Sequence, residues 1–161
     1  MQDIRLKGAI SFCIILTIIV IDYFSKQYAL IFDQNYVLNS FITIYKMNNY
    51  GIAFSLFNNL ENVGQLILNI IIFFILALIA RELITNLASS NLYLIGLSLI
   101  LGGGSANFID RYDNSAVTDF IILHYKDIYF PAVFNIADLS ISIGAVLIII
   151  YYMSNKTNEV H

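Results

Sequence analysis

Four apolar stretches, each near the length that crosses a bilayer, constrain this chain more than any other feature. Ala9–Phe32 is uncharged as far as Ile21 and then carries Asp22 and Lys26. Val63–Ala80 is uncharged and stops at Arg81-Glu82, and Leu92–Ile109 is uncharged and stops at Asp110-Arg111. Phe134–Met153 holds a single charge, Asp138. A hydrocarbon core of ~30 Å takes about 20 helical residues. A membrane barrel would show shorter, alternating segments. The expected fold is an all-α membrane protein with four transmembrane helices over residues 9–32, 63–80, 92–109 and 134–153, in one domain of 161 residues. Composition agrees: 12% of residues are charged, against roughly 25% in a soluble domain.

Several function classes drop out. The net charge is −3 and no basic run exists, so nucleic-acid binding has no footing. Cys13 is the only cysteine, and His124 and His161 are the only histidines and lie far apart. Neither a disulfide nor a cysteine or histidine metal site is expected. The first apolar stretch is too long for a signal-peptide core and lacks a small-residue cleavage site, so a retained helix is expected.

An even number of spans puts the two long connections, Asp33–Asn62 and Asp110–Val133, on one side, opposite both termini. Within the first, Tyr36–Ile44 alternates apolar and polar residues and reads as short interfacial strands. Arg5, Lys7, Arg81 and Lys156 stand on one side and Lys46, Arg111 and Lys126 on the other. The margin favours cytoplasmic termini.

The unusual residues gather at one end of this topology. Asp22 and Lys26 lie in the last turns of the first helix, and Asn49 and Gly51 in the first connection. Asn107, Asp110 and Arg111 end the third helix, Asp119 lies in the second connection, and Asn135 and Asp138 begin the fourth helix. Asp22 and Lys26 are spaced i,i+4, while Asn107 with Asp110 and Asn135 with Asp138 are spaced i,i+3, so each pair shares a helix face. A carboxylate at membrane depth is costly unless paired or hydrated, which makes it a functional candidate by default.

Simpler roles compete for each residue. Lys26 can snorkel to the headgroups beside Asp22. Asp110-Arg111 can be a helix-end ion pair, and Asp119 a solvated loop residue. Asp138 can cap the fourth helix, a place Asn135 suits better. Gly102-Gly103-Gly104 reads as a close-packing site between helices. No Ser-His or Cys-His pair is available. Carboxylates, amides and one or two cations remain. Two carboxylates sharing a proton can activate water, one as base and one as acid. From the residues alone the partner of Asp138 stays open, with Asp110 a contender. A relay for protons or ions through Asp22, Lys26, Asp110 and Asp138 is the alternative, although the second apolar stretch offers it no charge. A helical scaffold without activity is a third reading, which leaves the one-sided clustering unexplained.

Five motifs in order resemble those of the bacterial lipoprotein signal peptidase (signal peptidase II) family. They are Asp22-Tyr-Phe-Ser-Lys26, Asn49-Tyr-Gly51-Ile-Ala53-Phe54-Ser, Gly102-Gly103 with Asn107-Phe-Ile-Asp110-Arg111, Val117-Thr-Asp119-Phe120, and Phe134-Asn135-Ile-Ala137-Asp138. Ala106 departs from the family's usual glycine, but it is small enough to keep a close helix approach. The resemblance implies that Asp119 and Asp138 are a catalytic pair, supported by Asn107, Asp110, Arg111 and Asn135. It implies that Asn49, Gly51, Asp22 and Lys26 border the site and the substrate. It further implies a small β-rich extracytoplasmic cradle between the first two helices and cytoplasmic termini in the bacterial inner membrane. The implied activity is removal of signal peptides from prolipoproteins, N-terminal to a cysteine bearing diacylglycerol, without metal or organic cofactor. Membrane lipids, the inhibitor globomycin and a monomeric state complete the expectation.

Overall fold

The computed structural model describes residues 2–29, 31, 35–51 and 62–158. Phe32, Asp33, Ile52 to Ser55 of the second motif, and His161 lie outside them, as does the side chain of Lys156. The helices are α1 (Gln2–Ala29), α2 (Asn62–Thr85), α3 (Asn91–Asn114) and α4 (Ile136–Asn158). The strands among the described residues are β1 (Tyr36–Val37), β2 (Ile42–Asn49), β3 (Val117–Tyr125) and β4 (Ile128–Phe134).

All four helices are long and apolar enough to cross a membrane. Their ends differ from the apolar stretches by up to two turns. Helix α1 begins at Gln2, α2 runs to Thr85 past Arg81 and Glu82, and α3 runs to Asn114 past Asp110. Apolarity marks the part of a helix that faces lipid. Backbone hydrogen bonding continues into the polar layer, where an i,i+4 contact such as Lys7–Asp3 at 3.6 Å accompanies it. Helix α4 starts later than its apolar stretch, because Phe134 closes β4 and Asn135 caps the helix.

The packing is that of a protein turned toward lipid. Only 6% of the most apolar window of α1, and of α2, is buried, against 44% for α3. Helix α3 is the hub, packing against α1, α2 and α4. Small residues allow this. A Cβ on Gly144 would lie 2.6 Å from the Gly96 carbonyl oxygen, and a Cβ on Gly103 would collide with the Ala137 carbonyl oxygen. The Gly102–Gly104 run therefore does serve close packing, and α3 and α4 approach backbone to backbone. Leu83, Tyr93, Leu94 and Leu97 form the core cluster toward the opposite end.

The sheet is larger than the first connection alone could make it. Its order is β1-β2-β3-β4, with each neighbouring pair antiparallel. Strands β1 and β2 come from the first long connection, as expected. Strands β3 and β4 come from the second, which the sequence reading left without strands. The register pairs Met47 with Asp119 and Asn49 with Val117. Pro131 sits in β4, which pairs only with β3 among the described residues, so its missing N–H interrupts no central ladder. This pairing carries Asp119 to the mouth of the bundle.

Candidate active site

The site is assembled where α1 and α3 end, α4 begins and β2 and β3 run side by side. Helix α1 contributes a buried ion cluster. Lys26 Nζ lies 2.7 Å from Asp22 Oδ2 and 3.1 Å from Asp110 Oδ2, and donates to Asn107 Oδ1 at 2.9 Å. An ammonium has three N–H donors, and here each has an acceptor. Lys26 is 4% exposed and Asp22 1%, which overturns the snorkelling alternative. The other oxygen of Asp22, Oδ1, accepts from Ala137 N at 2.8 Å. That amide belongs to the first turn of α4 and has no partner within its helix.

Asp110 is committed to structure. Its Oδ1 accepts from Asn114 and its Oδ2 from Thr118 N, each at 2.7 Å, which ties the start of β3 to the end of α3. The expected Asp110–Arg111 ion pair is not what forms. Adjacent residues on a helix point apart, and Arg111 donates instead to the Gly51 carbonyl oxygen. Asp110 pairs with Lys26.

Asp119 is 2% exposed. Its Oδ2 accepts from Asn49 Nδ2 at 3.0 Å and its Oδ1 from Asn135 Nδ2 at 2.6 Å. Asn49 is itself fixed, because its Oδ1 accepts from Gly51 N at 3.0 Å. Asp138 accepts from Asn107 Nδ2 at 2.8 Å and from Asn135 N at 3.2 Å. Asn135 Oδ1 in turn accepts from Asp138 N at 2.8 Å. This is a reciprocal capping box, with aspartate in place of the usual glutamate. Asn135 thus touches both aspartates, one through its backbone amide and the other through its side chain. The sequence spacing had tied it to Asp138 alone.

The side-chain oxygen of Asn107 accepts from both Lys26 and Asn135 Nδ2, the latter at 3.1 Å. Its amide is therefore turned so that the nitrogen faces Asp138. The chain of contacts runs from the ion cluster through Asn107 to Asp138, and from Asp138 through Asn135 to Asp119.

Asp119 and Asp138 border one cavity of about 350 Å³, together with Asn49, Asn107 and Arg111. Ile72, Val133 and Phe134 give it apolar walls. Burial raises the Asp119 carboxyl from its ordinary 3.8 to about 7, and the nearby Asp138 charge adds to this. Hydrogen bonds from Asn49 and Asn135 and the charge of Lys26 oppose the rise. All ten residues singled out from sequence fall in this region. Asp22, Lys26 and Asp110 do not border the Asp119–Asp138 cavity but a second one. The backbone amides of Thr118 and Ala137 had no sequence signal, since any residue supplies them.

Four spanning helices, a small sheet and a pair of carboxylates bordering one cavity at one end define a multi-pass membrane protein with a polar site at the bundle mouth. A family model described as signal peptidase (SPase) II matches residues 14–154. The lipoprotein signal peptidase of Wigglesworthia glossinidia brevipalpis is 39% identical over 142 residues, covering 84% of this chain and 89% of the relative. That of Clostridium tetani is 35% identical over 145 residues, covering 88% and 90%. A bacterial membrane enzyme solved by the in meso method at 2.3 Å resolution has a similar fold, with a TM-score of 0.74. The match has 25% identity and covers 93% of this chain and 91% of that one. The chain belongs to the signal peptidase II family.

Proposed function

We propose that this protein is an aspartic endopeptidase that removes the signal peptide from diacylglyceryl-modified prolipoproteins, cutting N-terminal to the modified cysteine. The observation that carries the reading is the pair Asp119 and Asp138, both bordering one cavity and both held by Asn135. Family membership takes the place of the ion-conducting alternative.

One aspartate removes a proton from water, and the oxygen attacks the scissile carbonyl carbon. The other gives its proton to the developing oxyanion. The C–N bond then breaks as a proton passes to the leaving nitrogen. The reaction draws only on water and the two carboxylates. Groups coupled this closely titrate as a pair, so base and acid are assigned to the dyad as a whole. The substrate's acyl chains stay in the bilayer and hold the modified cysteine at headgroup level, which supplies the entropic part of catalysis. In this reading the protein lies in the bacterial inner membrane with cytoplasmic termini and its site near the outer face. Ile72 and Phe134 receive apolar side chains of the signal peptide.

The test is to incubate the purified protein with a diacylated prolipoprotein and follow its mass. A loss equal to the signal peptide, blocked by globomycin, is expected. An unchanged mass with folded protein rejects the proposal.

The pH dependence has a defined sign. Catalysis needs one proton on the pair, and Asp119 holds its proton up to about pH 7. Turnover is therefore expected to fall as pH rises through about 7. Asn49→Ala removes a hydrogen bond that favours the ionised form, so it should move that limb to higher pH. The same raised carboxyl contributes stability that is complete below 3.8 and is lost as pH rises through about 7. A kcat/KM profile flat between about pH 5 and 9, roughly two units either side of the limb, would contradict the shared proton.

A further inference from the structure

A second cavity, of about 430 Å³, lies between α1, the last turns of α3 and β2. It shares no lining residue with the cavity of the aspartate pair. Its volume falls within the range of small-molecule sites, ~300–1,000 Å³. Its floor is the buried cluster of Lys26, Asp22 and Asp110. Its lipid-facing wall includes Val20, Tyr23 and Ile109, which are 43%, 56% and 44% exposed. Its rim carries two exposed charges, Lys46 from β2 and Asp113 from α3.

The charges select a ligand. The lining holds Lys26 and Lys46 against Asp22, Asp110 and Asp113, two positive charges and three negative, so the sum is −1. Lys26 is consumed by Asp22 and Asp110. Lys46 and Asp113 form no ion pair among the described residues. Lys46 lies where the β2–β3 register shifts, between Ile44 and Met47. Such a bulge re-aims a side chain. A headgroup bearing only a phosphate would meet Lys46 but leave its charge facing a lining that is negative overall. A headgroup bearing a phosphate and a primary ammonium answers both rim charges. The apolar wall continues the lipid-facing surface of α1, so acyl chains can leave the cavity directly into the bilayer.

We propose that this second cavity binds the phosphoethanolamine headgroup of a bilayer phospholipid, with Lys46 on the phosphate and Asp113 on the ammonium. The assignment rests on the cavity and its charges and is independent of the aspartic mechanism.

The test uses delipidated full-length protein, an equimolar mixture of phosphatidylethanolamine and phosphatidylglycerol with identical chains, and native mass spectrometry of the retained adducts. Exposed charge pairs contribute modestly, so a preference of roughly threefold for the ethanolamine lipid is expected. Asp113→Asn should erase that preference, and Lys46→Gln should weaken retention of the ethanolamine lipid. Both positions are exposed, so both variants should fold. Equal retention of the two lipids by the parent protein, an ethanolamine preference that survives Asp113→Asn, or undiminished retention of the ethanolamine lipid by Lys46→Gln overturns the proposal.

Discussion

Asp119→Asn and Asp138→Asn should each lower cleavage of a diacylated prolipoprotein by about 10³–10⁴-fold, and the double variant should be little worse than either single one. An amide can neither take a proton from water nor give one to an oxyanion, so losing either carboxylate disables the pair. Residues that act as a unit lose their effect once, which is why the penalties should not add. The variants should still fold. Asp119 accepts from two amide donors, Asn49 and Asn135, and Asp138 accepts from Asn107 Nδ2 and the Asn135 backbone. An asparagine retains one acceptor and turns an NH₂ toward the other donor, an unsatisfied contact costing ~1–3 kcal/mol. Loss of a buried carboxylate's desolvation cost offsets part of that at Asp119. Steady-state turnover and thermal unfolding, measured on the same detergent preparations, separate the two effects. Near-normal turnover in either variant would end the two-aspartate scheme.

How far the sequence alone reaches follows from which interactions are local. The spans of α2 and α3 were legible because lipid exposure writes itself as an uninterrupted apolar run. The convergence of Asp22, Asn107, Asp110 and Asp138 at one end followed from counting spans. The strands β3 and β4 were missed, although Val117–Leu123 is rich in β-branched and apolar residues. Strand β3 has its ladder partner β2 in the other connection, as in the pairing of Ile42 with Leu123, and β4 pairs only with β3 among the described residues. Asp119 looked like a loop residue for the same reason. The role of Lys26 was also hidden, since its partners Asn107 and Asp110 lie far along the chain. Nothing local distinguishes a lysine that reaches the headgroups from one folded inward. The pairing of Arg111 with Gly51 depends on a contact from α3 to the end of β2. The choice of Asp119 over Asp110 came from the resemblance. The geometry supplies a physical reason for it: Asp110 already holds Lys26, Asn114 and Thr118.

Lys26→Met removes the cation from a site that keeps two carboxylates, and its main effect is expected on stability. Breaking a buried ion pair by deleting one partner costs roughly 3–5 kcal/mol, because the remaining charge stays buried. For a chain of this size that corresponds to a drop of ~10 °C in the unfolding midpoint. Asp22 is 1% exposed and carries a second duty, accepting from Ala137 N through Oδ1. Asn at position 22 keeps that carbonyl-type oxygen and discards the charge. Adding Asp22→Asn to Lys26→Met should therefore recover part of the loss, a coupling a double-mutant cycle reads directly. Chemistry should suffer less. The hydrogen-bond path from Lys26 to Asp138 runs through Asn107, whose oxygen still accepts from Asn135 when Lys26 is gone. The amide keeps its orientation, and turnover of the folded fraction should fall by less than about tenfold, the equivalent of ~1.4 kcal/mol. A Lys26→Met protein that melts like the parent yet cleaves nothing would place the lysine in the chemistry and reverse this ranking.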